Sequence, residues 1–396
     1  MHYNRSKIFA SLFLTAVLAL GCAPSNQKVK AATNKIVVGA DAPTISDAID
    51  MAVSGDTIVV PAGNYIEQLY IETDGISIIG EDGAILDGST ITPNSRESSM
   101  ICVNASDVSI SNLEIKEFKL DGPSTSIVPI GIEVDGGSSN ITISHCKIHD
   151  MGCIYKSDSD AYNAHGILVS APVDEPIDGI TIDGCELYNL SLGNSESLAI
   201  NGNVSNFIVS NNYIHNCDNI GIDAIGYEQS EDYDEADRAR NGEIVSNIVE
   251  YISSDPEVNV TYDDKCAGGI YVDGARDIEI YGNSVSFCDI GIEVASEHVG
   301  TFVTGINVHD NELKNNNAFA GISFGGYDVS NTGSATSCAF KNNIITNTAG
   351  ACFKVQYACN SSNIISDNVF DAQGTAVKYQ EMYGEYSAGN TVVGNN

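Results

Sequence analysis

From Ser77 onward the chain repeats one short spelling, apolar-x-x-N-x-apolar, and no other feature restricts its fold as much. The first apolar members are Ile110, Ile143, Ile182, Val209, Ile244, Ile280, Val308, Phe340 and Ile365, and the second run from Ile115 and Ile148 to Ile345 and Phe370. The N position holds Leu113, Cys146 and Cys185, and then Asn in six successive repeats: Asn212, Asn247, Asn283, Asn311, Asn343 and Asn368. Asparagine tolerates the left-handed backbone conformation, and stacked side-chain amides can hydrogen-bond from one repeat to the next. An Asn column at a bend between two strands therefore has a physical cause, and it predicts coils stacked on one another.

A second phrase, apolar-x-apolar, follows each Asn turn, beginning at Ile132, Ile167, Leu198, Ile222, Ile270, Ile292, Ile322, Phe353 and Val377. Its members lie from 22 residues (Ile270 to Ile292) to 48 residues (Ile222 to Ile270) apart, so loops absorb the difference while the strands keep their length. Before the repeats, Lys35 to Gly63 predicts a strand, an amphipathic helix around Thr44 to Val53, an apolar strand and a Pro-Ala-Gly turn. Such a helix would close the first coil, which otherwise exposes apolar surface. Together these elements resemble the right-handed parallel β-helix of the pectin-lyase-like superfamily, over about Lys35 to Asn396. The resemblance implies an all-β solenoid with an N-terminal capping helix, a single domain over 35–396. That architecture hosts many functions, so the site must be argued separately.

The N-terminus reads as an export signal over residues 1–22: His2, Arg5 and Lys7 precede an apolar run from Ile8 to Leu20 that is short for a membrane span. It ends in Ala19-Leu20-Gly21-Cys22, which resembles a bacterial lipoprotein signal; the resemblance implies lipidation of Cys22, a polar tether over 23–34 and a place outside the cytoplasm. Plain secretion is the alternative, and a lipid anchor would be the one link to a membrane. The other ten Cys form no C-x-x-C pair and no metal-ligand spacing with His. Cys146 and Cys185 fall at equivalent positions of adjacent coils, which suits stacked, buried thiols rather than a bridge.

Eighteen Lys+Arg against 53 Asp+Glu give a net charge of −35, which argues against nucleic acid and anionic lipid as partners. Polyanionic glycans would meet the same repulsion unless a divalent cation bridged them, so calcium enters as a candidate cofactor. The expected partner is a polysaccharide or other glycan, met by a monomer.

On a strand the middle residue of each apolar-x-apolar phrase turns outward. Those positions make a column: Glu133, Leu168, Ala199, Asp223, Tyr271, Glu293, Ser323, Lys354 and Lys378. Two residues after Tyr271 comes Asp273. Polar side chains are densest where the longest insertions, 227–242 and 253–265, flank the phrases, so the two loops are expected to wall a groove suited to a chain-like ligand. Asp223, Asp273 and Glu293 are the acid/base candidates, and Tyr271 is a subsite or proton-transfer residue. His298, Glu297, Tyr227, Asn201 and His165 are candidate substrate contacts. Asp223 and Glu293, two coils apart, would be separated by roughly 9 to 10 Å at the backbone, nearer the inverting than the retaining arrangement of glycosidase carboxylates.

The phrase Cys217 to Asp223 is faintly similar to the Asp-rich coil of the calcium-dependent pectate lyases, a resemblance that implies a carboxylate role for Asp223. It also implies a Lys base in the next coil, where this chain has Tyr271, which would need a lowered pKa to act as base. Hydrolysis therefore stands ahead of elimination, because the central columns lack Lys and Arg. A calcium-dependent lyase and a non-catalytic, adhesin-like glycan-binding surface protein are the alternatives.

Overall fold

The structure is a computed structural model that describes residues 34–396 apart from 96–97, 123–125, 156–161, 231, 329, 358, 360–361 and 383–388. Residues 1–22, where an export signal ending at Cys22 is expected, lie outside the described residues.

The chain winds into three long parallel sheets that share one interior. The first runs from Leu69–Ile71 to Val377–Glu381 and carries the apolar-x-apolar phrases; the second and third hold the strands before and after each Asn turn. Successive coils pair in parallel: Ile132 with Ile167, Ile167 with Leu198, Leu198 with Ile222, Ile222 with Ile270, Ile270 with Ile292, and Ile292 with Ile322. Each of these side chains is fully buried, and each contributes roughly 1.5 to 3 kcal/mol through the surface it removes from water. All stack in one inward row, so the alternation in the sequence becomes the core of the solenoid. The fold is thus the parallel β-helix that the repeat implies.

The helix α1 spans Ile45–Met51, with Thr44 as N-cap accepting from the Asp47 N–H at 3.0 Å. The Glu67 carboxylate also meets the helix start, accepting from the N–H groups of Ile45 (3.0 Å) and Ser46 (2.9 Å). Ile45, Ala48 and Ile49 face inward over the first coil.

The Asn column forms a continuous ladder. The side-chain amide of Asn212 donates to Asn247 Oδ1 at 3.0 Å, and the same step recurs through Asn283, Asn311, Asn343 and Asn368 to Asn395, one coil further than the repeat spelling reached. The conformational part of the expectation needs correcting. The left-handed residue is the one before each ladder Asn, as at Asn211 (φ 55), Ser246 (φ 57), Asp310 (φ 54) and Asn342 (φ 55). The Asn itself closes the turn by hydrogen bonding, accepting from the backbone of the coil before it, as Asn283 does from the Asn247 N–H at 2.9 Å. Cys146 and Cys185 are buried and free, in the same column.

One register assignment also changes. Phe353 pairs with Tyr379 and Lys354 with Gln380, so the last coil sits two residues beyond the expected phrase and Lys378 leaves the column. Val377, expected to face the core, is 45% exposed, while the Tyr379 ring stacks on Phe353 with centroids 6.0 Å apart.

Candidate active site

Asp223, Tyr271 and Glu293 occupy partner positions on three consecutive strands, followed by Ser323 and Lys354, as the alternation requires. The face they share is not the open groove expected. Asp223 is 2% exposed, Tyr271 6% and Asp273 4%.

The insertion after Asp223 turns inward instead of standing away as a wall. Antiparallel bridges tie Ile225 to Gly274 and Gly226 to Arg238, folding this loop back over the sheet. Its anchor is the buried Arg238, whose guanidinium donates to the carbonyls of Gly274 (2.8 Å), Ala275 (3.2 Å) and Phe302 (2.7 Å) and to Glu235 (2.7 Å). Tyr227 belongs to this anchor. It is 3% exposed, its hydroxyl donates to Glu235 at 2.9 Å, and its ring lies 5.0 Å from the Arg238 guanidinium. Tyr227 is therefore not free to contact substrate, a correction that follows from the loop turning inward around an arginine. From the same loop Glu228 meets His298 Nε2 at 2.5 Å, and Tyr233 stacks on the His298 ring at 5.1 Å. That contact fastens the loop to the turn after the Glu293 strand.

The expected groove is reduced to a pocket of about 390 Å³ whose lining includes Tyr271, Glu293 and Glu297 from the sheet and its turn. Tyr262 and Cys266 come from the second insertion, Tyr327 and Thr332 from the 326–332 turn, and Phe319 and Gln356 from further coils. Asp223, Asp273, Asn201, His165 and His298 are outside this lining. Asn201 sits half-buried beside Ile225, one coil before the loop, and His165 lies two coils before Asp223. The acid/base candidates are therefore divided, with Glu293 facing the pocket and the two aspartates buried outside it.

The buried carboxyls are still coupled to the pocket. Burial raises the Asp223 carboxyl well above its ordinary range, reinforced by Glu196 and Asp273, and Asp223 Oδ1 has no hydrogen-bond partner among the described residues. Asp273 is raised by burial and by Glu297, yet it accepts the Glu297 N–H at 2.8 Å and so fixes the turn that presents Glu297. Burial, then Glu297, pushes Glu293 up to about 8, against one long contact from the Ser323 hydroxyl at 3.4 Å. Glu297, exposed at the rim, is raised by partial desolvation, and its hydrogen bond from the Tyr271 hydroxyl at 3.2 Å opposes that rise.

Tyr271 cannot serve as a base with a lowered pKa. Burial and the surrounding acids push its phenol well above the usual value, which leaves it a hydrogen-bond donor at neutral pH. No group of three or more His, Cys, Asp or Glu is placed to hold a metal ion among the described residues. The described carboxylates thus do not gather into a calcium cage.

One contributor was not singled out from the sequence. Glu196, raised to about 8 by burial, lies with its Oε2 3.4 Å from His165 Nδ1 and adds to the acids around Asp223. It stands in the turn just before an apolar-x-apolar phrase, outside the columns that alternation defines. Lys354, a member of the outward column, comes near the pocket as well. Its ammonium lies 3.4 Å from the centroid of Phe319, a pocket residue, because the long side chain reaches back along the solenoid.

The sequence profile of the right handed beta helix region matches residues 131–337. The chain is 35% identical over 361 residues to an uncharacterized protein of Bacillus subtilis (strain 168), YwoF, covering 88% of this chain and 74% of that one. Among solved structures it is similar to a GH136 lacto-N-biosidase from Eubacterium ramulus, with a TM-score of 0.62 and 13% identity over 90% of this chain and 64% of that one. A mannuronic acid specific polysaccharide family 6 lyase from human gut microbiota gives 0.61 and 15%, over 90% and 84% of the two chains. An exopolygalacturonase from Thermotoga maritima gives 0.57 and 11%, over 82% of each. At these identities the solved structures speak for the fold.

Proposed function

Because this chain belongs to the right-handed β-helix family, we propose that it is a carbohydrate-active enzyme that hydrolyses a glycosidic bond of a neutral glycan, with Glu293 as proton donor and Glu297 as base. One observation carries the reading. A pocket-facing carboxyl holding its proton to about pH 8 stands beside a second, solvent-reachable carboxyl that accepts a tyrosine hydrogen bond. Two carboxyls whose surroundings differ in this way supply the acid and the base that glycoside hydrolysis needs.

In that reaction Glu293 gives its proton to the glycosidic oxygen as the bond from that oxygen to the anomeric carbon breaks. Glu297 takes a proton from the water that attacks the anomeric carbon, and the two carboxyls return to their starting states through solvent. Tyr271 holds Glu297 in place, and Asp273 holds its backbone. The acidic lining repels uronates, which favours a neutral substrate. The activities named for the three solved neighbours place hydrolysis and elimination of glycans within reach of this fold. The export segment is consistent with an extracytoplasmic enzyme anchored through Cys22.

Lys354 supports a second reading, elimination on an acidic sugar, since it is a cation against the pocket wall and burial lowers its pKa toward that of a usable base. Incubation with neutral and uronic polysaccharides separates the two. Hydrolysis releases reducing ends alone, whereas elimination also produces the ultraviolet absorbance of an unsaturated product. New reducing ends from a neutral glycan are expected; unsaturated product from a uronic glycan, or no product from any, would reject the leading proposal.

A further inference from the structure

A second, larger concavity of about 850 Å³ lies on the other side of the loop that walls the pocket. Asp255, Val258 and Lys265 of that loop face the concavity, while its Tyr262 and the neighbouring Cys266 face the pocket.

At its centre is a turn column with an irregular composition. The register of the third sheet aligns Asn189, Asn216, Tyr251, Phe287 and Asn315 at the residue following each strand or within its last turn. All five are left-handed, with φ of 53, 55, 55, 56 and 55. Asn is suited to that conformation, and bulky aromatic residues are not. Two consecutive coils nevertheless replace Asn with Tyr and Phe. Neither ring is recruited to the core: Tyr251 is 49% exposed and Phe287 47%, and they stack on one another at 5.0 Å with planes 4° apart. Stability alone would be served by the Asn found in the coils on either side.

We propose that this concavity is a glycan-binding subsite, in which Tyr251 and Phe287 form the platform for the apolar face of a neutral sugar. Aromatic rings present such a face with little entropy to lose. The polar atoms around them suit hydroxyl groups: Asn189, Asn216 and Asn315 bring amides, while the buried Asp289 carboxylate is taken up by Ser253, Ser254 and Ala267 and shapes the wall. Lys265 is paired with Asp255, so the surface offers no free cation for a polyanion. The assignment takes its ligand class from the glycan-active reading of the neighbouring pocket. A glycan extending past the loop would be held at a distance from the bond being cleaved.

The test is affinity gel electrophoresis of the full chain through xyloglucan, galactomannan, mixed-linkage β-glucan and arabinoxylan, with polygalacturonate as the anionic control. The wild type, the double variant Y251N/F287N and E293Q are compared. Asn is native to this turn in adjacent coils, so the double variant is expected to fold, with a melting temperature at or above that of the wild type. At least one neutral polysaccharide should retard the wild type and E293Q equally, and the double variant should bind it about tenfold more weakly or worse. Unchanged retardation of a folded double variant, or absence of retardation of the wild type by every neutral polysaccharide, overturns the assignment. A change only in oligomeric state, read by size-exclusion chromatography, also overturns it by making the platform a contact between copies. Hydrolysis that persists without groove binding defeats this inference alone; groove binding without hydrolysis defeats the catalytic reading alone.

Discussion

The Tyr271 hydroxyl donates to Glu297 Oε1 at 3.2 Å, joining a strand of the first sheet to the turn that ends the next strand. Burial keeps that phenol protonated, so the contact orients a carboxylate without competing for its proton. Removing the hydroxyl in Y271F should lower kcat about 10- to 100-fold, the range expected for a hydrogen bond to a charged group, with little change in melting temperature. Steady-state kinetics beside thermal melts would check both halves of the expectation.

The buried acids predict an unusual pH dependence of stability. Glu196 and Glu293 have ordinary values near 4.5 and are pushed up to about 8 in the folded chain. Between those limits the folded state binds more protons than the unfolded state, so stability falls as pH rises. The melting temperature should be higher near pH 5 than near pH 8, and the difference should shrink in E196Q and E293Q. A melting temperature that climbs steadily from pH 5 to pH 8 would show that these carboxyls are ionised in the fold.

Arg238 and its partner Glu235 should differ sharply on truncation. Arg238 is 1% exposed at its side chain and satisfies three backbone carbonyls, whereas Glu235 is 60% exposed. R238A should destabilise by about 3 to 5 kcal/mol, and E235A by about 1 kcal/mol or less. Because Arg238 ties its loop to the coils that follow, R238A should also open that loop to proteolysis. Denaturant melts and limited digestion report the two effects.

The Asn ladder predicts a gradient along the solenoid. Asn283 accepts from both the backbone and the side chain of Asn247 and donates to Ile244 O and Asn311 Oδ1, all within buried surroundings. N283A leaves several of those groups unpaired and should cost about 2 to 4 kcal/mol. Asn395 has no ladder partner beyond it among the described residues, and N395A should cost about 1 kcal/mol. Equal losses at the two positions would mean that the ladder does not act through buried hydrogen bonds.

How much of this was legible in the sequence depends on the reach of each interaction. Asp223, Tyr271 and Glu293 could be aligned because period-two alternation and parallel stacking are local rules, and the structure keeps that register. The inward turn of the 227–242 loop was not legible, since it depends on Arg238 meeting carbonyls at Gly274 and Phe302, contacts that spacing does not encode. The last coil was displaced because both Val377 and Tyr379 fit the apolar pattern, and only packing against Phe353 chooses between them.

The most direct test of the catalytic account is the turnover of E293Q on whichever neutral glycan the wild type cleaves. The substitution preserves shape and removes the proton that the pocket holds to about pH 8. The account predicts that kcat falls about 100-fold or more while the melting temperature near pH 5 changes little. An E293Q variant that turns over at the wild-type rate would contradict the assignment of Glu293 as the proton donor.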